Sequence, residues 1–236
     1  MPTPVLLQPA YVLHSRSYRE TSLILDVLTE DHGKVALIAK GVRNKKSTTA
    51  ALLQPFMSLL VSYVGKSELR NLTHVELKPP VTGLKGKSLY CGFYLNELLN
   101  HFLQTNDPCP EIYQDYYQCL NLLQNSSVNI ESVLRLFELS LLESLGYGLQ
   151  LVYDFQQEKP IEAEKKYHYI PDQGPVAAEN GYFSGMTLKA LQAKNLENKQ
   201  SLAEAKQLMR QVIDFHLQGH PLKSRSLIRA VQLKIK

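Results

Sequence analysis

The period of the hydrophobic pattern changes at Pro79-Pro80, and that change governs what the chain can fold into. Upstream of it, short β-rich runs recur between turn signals at a spacing of about 8 to 12 residues or a little more. They occupy residues 10–14, 23–29, 34–39, 56–64 and 72–77. Glu30-Asp31-His32-Gly33 separates the second run from the third, and Gly33 can supply a positive φ, so these two form a hairpin. Gly65-Lys66-Ser67-Glu68 makes a second turn. Five strands in so short a stretch leave exposed edges unless the sheet closes. A five-stranded OB-type barrel over residues 1–80 is the expectation.

The two prolines remove backbone donors, and beyond them the period becomes about 3.6. Residues 89–103 carry Leu89, Phe93, Leu95, Leu98, Leu99 and Phe102 at helical spacing, and residues 111–123 carry Ile112, Tyr116, Leu120 and Leu123. A third stripe over 130–145 joins Ile130, Val133, Leu134, Phe137, Leu141 and Leu145, with Gly146 as its stop. Residues 150–185 are polar and rich in Tyr, Pro and Gly, and they predict an irregular insertion with one hairpin. Helical pattern resumes over 187–194 and 202–217. Pro221 then opens a last, basic helix running toward Val231. The expected class is therefore α+β and multi-domain, with the barrel followed by an α-helical domain over 81–236.

Three cysteines, Cys91, Cys109 and Cys119, argue against a disulfide framework and suit a reducing compartment. No apolar run approaches the 18 residues that span a bilayer, and the first residues lack a basic and apolar leader, so a cytoplasmic protein without membrane attachment is expected. The net charge of +4 is unevenly placed. Residues 1–75 hold nine Lys and Arg against five Asp and Glu, residues 76–218 hold twelve against seventeen, and residues 219–236 hold five bases and no acid. Two basic ends around an acidic body suit a polyanionic partner.

The segment Lys40-Gly41-Val42-Arg43-Asn44-Lys45-Lys46-Ser47 sets four bases beside a glycine directly after a barrel strand. Phosphate contacts need mobile cations and backbone N–H groups rather than one fixed geometry, so such a loop suffices for sequence-independent binding. Its bland alternative is a solvated loop. Arg16-Ser17-Tyr18-Arg19 adds two guanidiniums around a ring able to stack on a base, Lys66 and Arg70 lie at another turn, and Lys223 and Arg225 belong to the basic end. These ten residues, Arg16, Arg19, Lys40, Arg43, Lys45, Lys46, Lys66, Arg70, Lys223 and Arg225, form the candidate nucleic-acid-binding set.

For catalysis the chain offers no Walker-type loop, no His-Glu-x-x-His helix and no Gly-x-Ser-x-Gly elbow. Its seven histidines do not recur at metal-ligand spacing. A binding protein without catalytic residues, metal or cofactor is expected. Arg135 stands out on the third helix, near Glu131 and Glu138. From physics alone it reads as a surface ion pair, and the sharper alternative is an anion clamp.

These residues resemble the bacterial recombination mediator family RecO. The resemblance is carried by Val12-Leu13-His14-Ser15-Arg16 with Glu20-Thr21-Ser22-Leu23, by Ala39-Lys40-Gly41-Val42-Arg43 and by Leu53-Gln54-Pro55-Phe56. In the helical part it is carried by Leu89-Tyr90-Cys91-Gly92 with Asn96-Glu97-Leu98-Leu99, by Arg135-Leu136-Phe137-Glu138-Leu139 with Leu145-Gly146-Tyr147, and by Leu222-Lys223-Ser224-Arg225. It implies DNA repair and homologous recombination in the RecF pathway: binding single- and double-stranded DNA, annealing complementary strands, and acting with RecR to load RecA onto strands covered by single-stranded DNA-binding protein (SSB). It also implies a monomer associated with the nucleoid. Many members carry a four-cysteine zinc element, and residues 150–185 contain no cysteine, so a zinc-free insertion is expected. The family docks the acidic, phenylalanine-ended tail of SSB on its helical domain, which makes Arg135 the expected tail contact. The alternatives are an RNA-binding OB-fold protein and a protein-interaction adaptor whose basic loops are incidental.

Overall fold

The computed structural model describes residues 4–44, 47–79 and 83–227. Contacts divide the chain into two compact units. The first takes Met1–Asn125 together with Leu222–Lys236, and the second takes Ser126–Pro221.

The first unit opens with strands β1 (Val5–Tyr18), β2 (Ser22–Thr29) and β3 (Gly33–Ala39), a short helix α1 (Thr49–Leu52), and strands β4 (Leu59–Val64) and β5 (Leu69–Leu77). The strands close into a barrel in the order β1-β2-β3-β5-β4, the OB-type closure expected. Only β3 and β5 pair in parallel. Alternation along β3 buries Val35, Leu37 and Ala39 against Leu25, Val27, Val61 and Tyr63, so the period-2 pattern becomes the barrel core. Gly33 does adopt a positive φ, and a side chain there would collide with the Asp107 carbonyl 1.7 Å away. The hairpin is thereby seated against the loop that leaves α2.

That loop joins α2 (Gly86–Phe102) to α3 (Pro110–Gln124). The Asn106 N–H donates to the Lys34 carbonyl at 2.8 Å, and the Lys34 ammonium donates to the Asn100 carbonyl at 2.7 Å. Burial pulls that ammonium below its ordinary pKa. β1 is longer than the sequence suggested, and its ladder slips between Val12 and His14. Such a bulge bends a strand and leaves its extra residue unpaired in the ladder. Asn96 of α2, itself buried, donates its side-chain amide to the Val12 and Leu13 carbonyls at 3.3 and 3.0 Å. Its Oδ1 accepts from the buried Tyr116 hydroxyl of α3 at 2.5 Å.

The chain returns to this unit at its far end. The Glu97 carboxylate of α2 accepts from the Lys223 and Ser224 backbone N–H groups at 2.8 and 2.9 Å and from the Ser224 hydroxyl at 2.5 Å, which caps the helical turn of residues 223–227. Burial works to raise the Glu97 pKa, and these donors outweigh it and leave it lowered. The basic helix expected toward Val231 lies, from residue 228 onward, outside the described residues.

The second unit holds α4 (Ile130–Ser144), β6 (Lys166–Ile170), β7 (Gly174–Ala177), β8 (Phe183–Ser184), α5 (Gly185–Gln192) and α6 (Lys199–His216). Asn129, Ser184 and Asn198 cap the three helices through their side-chain oxygens. The segment 150–185, expected to be irregular with one hairpin, holds that hairpin in β6 and β7 and adds β8, which makes a three-stranded antiparallel sheet in the order β7-β6-β8 over residues 166–184. Its turns are held by Asp154, 3% exposed, whose Oδ1 accepts from the Gln156 and Gln157 N–H groups and whose Oδ2 accepts from the Ala177 N–H at 2.6 Å.

Burial tends to raise the Asp154 pKa, but the three backbone donors prevail and lower it. A carboxyl depressed in the folded state stabilises the fold above its unfolded pKa of about 3.9, and the gain is lost as pH falls through the folded value. Asp154→Asn should therefore cost about 1–3 kcal/mol at neutral pH. It should also show a shallower loss of stability below pH ~4 than the parent. Denaturant titrations at neutral and acidic pH check both, and equal stabilities at pH 7 would assign Asp154 no such role.

Candidate nucleic-acid interface

Two turns at one end of the barrel gather cations. The end of β1 and the start of β2 pair Tyr18 with Ser22, and Arg19 turns the chain with φ of 51°. Its guanidinium lies over the Tyr18 ring, 5.3 Å from the centroid, which fixes a flat cationic surface. β3 ends beside β2 through the Leu23–Ala39 pair, and Gly41, at φ of 72°, starts the next loop. Val42 is buried in the barrel core, so the loop is pinned at its centre while Lys40 and Arg43 stay exposed.

Arg43 joins the two turns. Its backbone N–H donates to the Thr21 carbonyl at 2.9 Å, and its Nη1 donates to the Arg19 and Glu20 carbonyls at 3.2 and 3.4 Å. The structure thus brings Arg19 and Arg43 together, with Lys40 and the exposed Arg16 on the adjoining strand ends. Lys45 and Lys46 lie outside the described residues.

The other candidates lie on other elements. Lys66 is exposed in the β4–β5 turn. Arg70 is half-buried over the Tyr63 ring, 5.5 Å from its centroid and opposite Leu37 of β3, so its guanidinium is engaged in packing. Lys223 is exposed and Arg225 half-buried in the returning turn capped by Glu97. Sequence reasoning missed that tie, because Glu97 and Ser224 are 127 positions apart.

Both basic ends nevertheless belong to one compact unit. Met1–Asn125 with Leu222–Lys236 holds seventeen Lys and Arg against ten Asp and Glu, and Ser126–Pro221 holds nine against twelve. The field that would attract a polyanion belongs to the first unit.

Arg135 corrects its surface reading. It is 7% exposed, and its Nη2 donates to Glu138, which is wholly buried. The other expected neighbour, Glu131, pairs instead with Lys206 at 3.2 Å. A buried pair stabilises only where further hydrogen bonds satisfy both charges, and the Arg135 Nε–H has no partner among the described residues. The guanidinium is thus oriented by Glu138 and keeps donor capacity. Among the described residues, no group of three or more His, Cys, Asp and Glu is arranged to hold a metal ion, and no helix is long and apolar enough to cross a membrane.

Comparison with known proteins accounts for nearly the whole chain. The family model described as "Recombination protein O N terminal" matches residues 4–80, and the one described as "Recombination protein O C terminal" matches residues 84–226. A protein of Methylococcus capsulatus named DNA repair protein RecO is 48% identical over 231 residues, covering 97% of this chain and 95% of that protein. Proteins of the same name from Nitrosococcus oceani and Coxiella burnetii are 44% and 41% identical, covering 97% and 95% of this chain and 94% and 98% of theirs. With both halves matched in order and relatives aligned nearly end to end, the chain belongs to the recombination protein O family, RecO.

Proposed function

We propose that this protein is a mediator of DNA repair and homologous recombination that binds single- and double-stranded DNA through the cationic end of its barrel. The supporting observation is the Arg43 cross-link, which ties the Lys40–Arg43 loop to the β1–β2 turn where the Arg19 guanidinium lies over the Tyr18 ring. Exposed guanidiniums and ammoniums bind phosphates without regard to sequence, and a ring beside them supplies a stacking platform. By screening two mutually repelling strands, the basic unit promotes their annealing. Acting with RecR, the protein helps load RecA onto SSB-coated strands. The test is annealing of complementary oligonucleotides, bare and SSB-coated, with RNA of equal length as competitor. Annealing of both DNA forms is the expected result; a strong preference for RNA overturns the reading in favour of an RNA-binding protein.

Recruitment to SSB-coated strands is proposed to pass through Arg135. A tail ending in phenylalanine presents a ring and a carboxylate, and a guanidinium held by Glu138 can offer its remaining N–H donors in the forked geometry a lysine lacks. Arg135→Glu should weaken binding of a tail peptide more than tenfold, about 2 kcal/mol or more, and more than Arg135→Lys. Annealing of bare strands should survive. A fluorescence titration in which Arg135→Glu binds the peptide like the parent would assign the residue to its buried pair alone.

A further inference from the structure

A cavity of about 170 Å³ opens on the first unit between the barrel and α3, lined by Tyr11, Ser58, Lys78, Tyr113, Gln114 and Tyr117 with Pro79. Its floor is buried: Tyr11, Ser58 and Tyr113 are 0%, 4% and 3% exposed. Its rim is not, since Lys78 and Tyr117 are half-buried and Pro79 and Gln114 exposed. The Tyr11 hydroxyl is wholly buried beneath this floor, where it lies against the Ser58 hydroxyl. The acids nearest in sequence to the hairpin are already engaged, Glu30 accepting from Gln114 and Asp31 from Gln8.

From this lining we infer that the cavity receives one six-membered heteroaromatic ring, a pyrimidine base turned out of a single strand, with its phosphate at Lys78. The size sets the class. A cavity of about 150 Å³ accommodates a benzene ring, whereas sites that enclose a larger ligand occupy roughly 300–1,000 Å³. A single ring therefore fits, and its sugar and phosphate remain outside. The chemistry selects a base over a hydrocarbon, because the tyrosine rings offer stacking faces while the Tyr117 hydroxyl, the Gln114 amide and the Lys78 ammonium make the mouth polar. Lys78, the cation at the rim, suits a phosphate. The position is within reach of the cationic turns. Tyr11 pairs with Leu28, and Arg16 pairs with Ile24 of the same strand. Five residues of β1 correspond to about 17 Å, shorter than a strand of the roughly 4–16 nucleotides that an OB-type barrel covers.

This inference rests on the DNA-binding reading, and its test separates the two. Single-stranded oligonucleotides of thymine only and of adenine only are titrated into the full chain, with free thymidine monophosphate as a separate arm. A thymine strand carrying 5-iodouracil is crosslinked by light and the linked residue mapped by mass spectrometry. Expected are tighter binding of thymine than adenine strands, a crosslink to Tyr113 or Tyr117, and weak binding of the free nucleotide. Tyr117→Ala should lower affinity for the thymine strand about tenfold and leave the adenine strand unchanged, whereas Tyr117→Phe should behave as the parent. Thermal melting of each variant confirms that it folds. Equal affinity for the two strands, with crosslinks elsewhere, overturns the base pocket and leaves DNA binding standing. Tight binding of the free nucleotide replaces the strand with a small-molecule ligand. Failure to bind any strand at low salt overturns both readings.

Discussion

Replacing Arg43, Lys45 and Lys46 by Glu should weaken binding to DNA of every sequence and flatten its dependence on salt. Each Lys or Arg that neutralises a phosphate releases condensed counterions, so each lost contact reduces the log-log slope of affinity against salt by about 0.7–0.9. Three lost contacts reduce it by about 2 to 3, and reversed charges add repulsion beyond simple loss. Arg43 also ties the Arg19–Glu20 backbone to the loop, so the triple change disturbs the turn that presents Tyr18. The pair Lys45→Glu and Lys46→Glu separates these effects, because it leaves the Arg43 donors in place and should still remove about 1.5 from the slope. Fluorescence anisotropy over a range of salt concentrations reads both variants. A slope unchanged in the triple variant takes the loop out of the interface, and one unchanged only in the pair takes out Lys45 and Lys46.

Asn96→Leu should destabilise the first unit by about 3 kcal/mol or more. The substitution keeps an apolar side chain of similar size in a fully packed position but removes two amide donors and one acceptor. The Val12 and Leu13 carbonyls lose the donor that serves them at the β1 bulge, and the Tyr116 hydroxyl loses its acceptor. Each buried polar group deprived of its partner costs about 1–3 kcal/mol, a large share of the 5–15 kcal/mol that holds a typical domain together. Tyr116→Phe removes only one member of the network and should cost less. Combining the two changes should give less than the sum of the separate losses, because both remove the Asn96–Tyr116 bond. Urea denaturation of the four proteins measures the cycle. Full additivity would mean that the Tyr116 hydroxyl gains nothing from Asn96.

The hairpin of β2 and β3 was legible because alternation and a left-handed glycine are local signals, and both are met at Val35, Leu37, Ala39 and Gly33. Helix α4 was legible for the same kind of reason, a single apolar stripe. The outer part of β1 was not, since His14, Ser15, Arg16 and Ser17 are all exposed and carry no alternation. The sheet over 166–184 did leave a trace. Lys166-Tyr167-His168-Tyr169-Ile170 alternates, with both tyrosines buried and the other three exposed, but its tyrosines and lysine resemble a polar loop in composition. Asn96 could not be found from its neighbours, because a polar residue among leucines says nothing about the carbonyls it meets 83 and 84 positions away. The cationic cluster was half legible: the basic residues were evident, but the bond from Arg43 to Arg19 that gathers them depends on the barrel closing. Burial of Arg135 depends likewise on packing that a helical wheel does not contain.

The Glu97 carboxylate holds residues that leave the ribosome long after α2 itself. A nascent chain emerges from its N-terminus at about 5–20 residues per second, so the barrel, α2 and α3 are complete for several seconds before Lys223 and Ser224 arrive to take up their bonds. During that interval the Glu97 acceptor is open to solvent. The segment Ser126–Pro221 is synthesised in between and can reach its own fold first. The closing of the first unit is thus timed by translation, and the basic residues of that turn join the charged surface only after Ser126–Pro221 has been made.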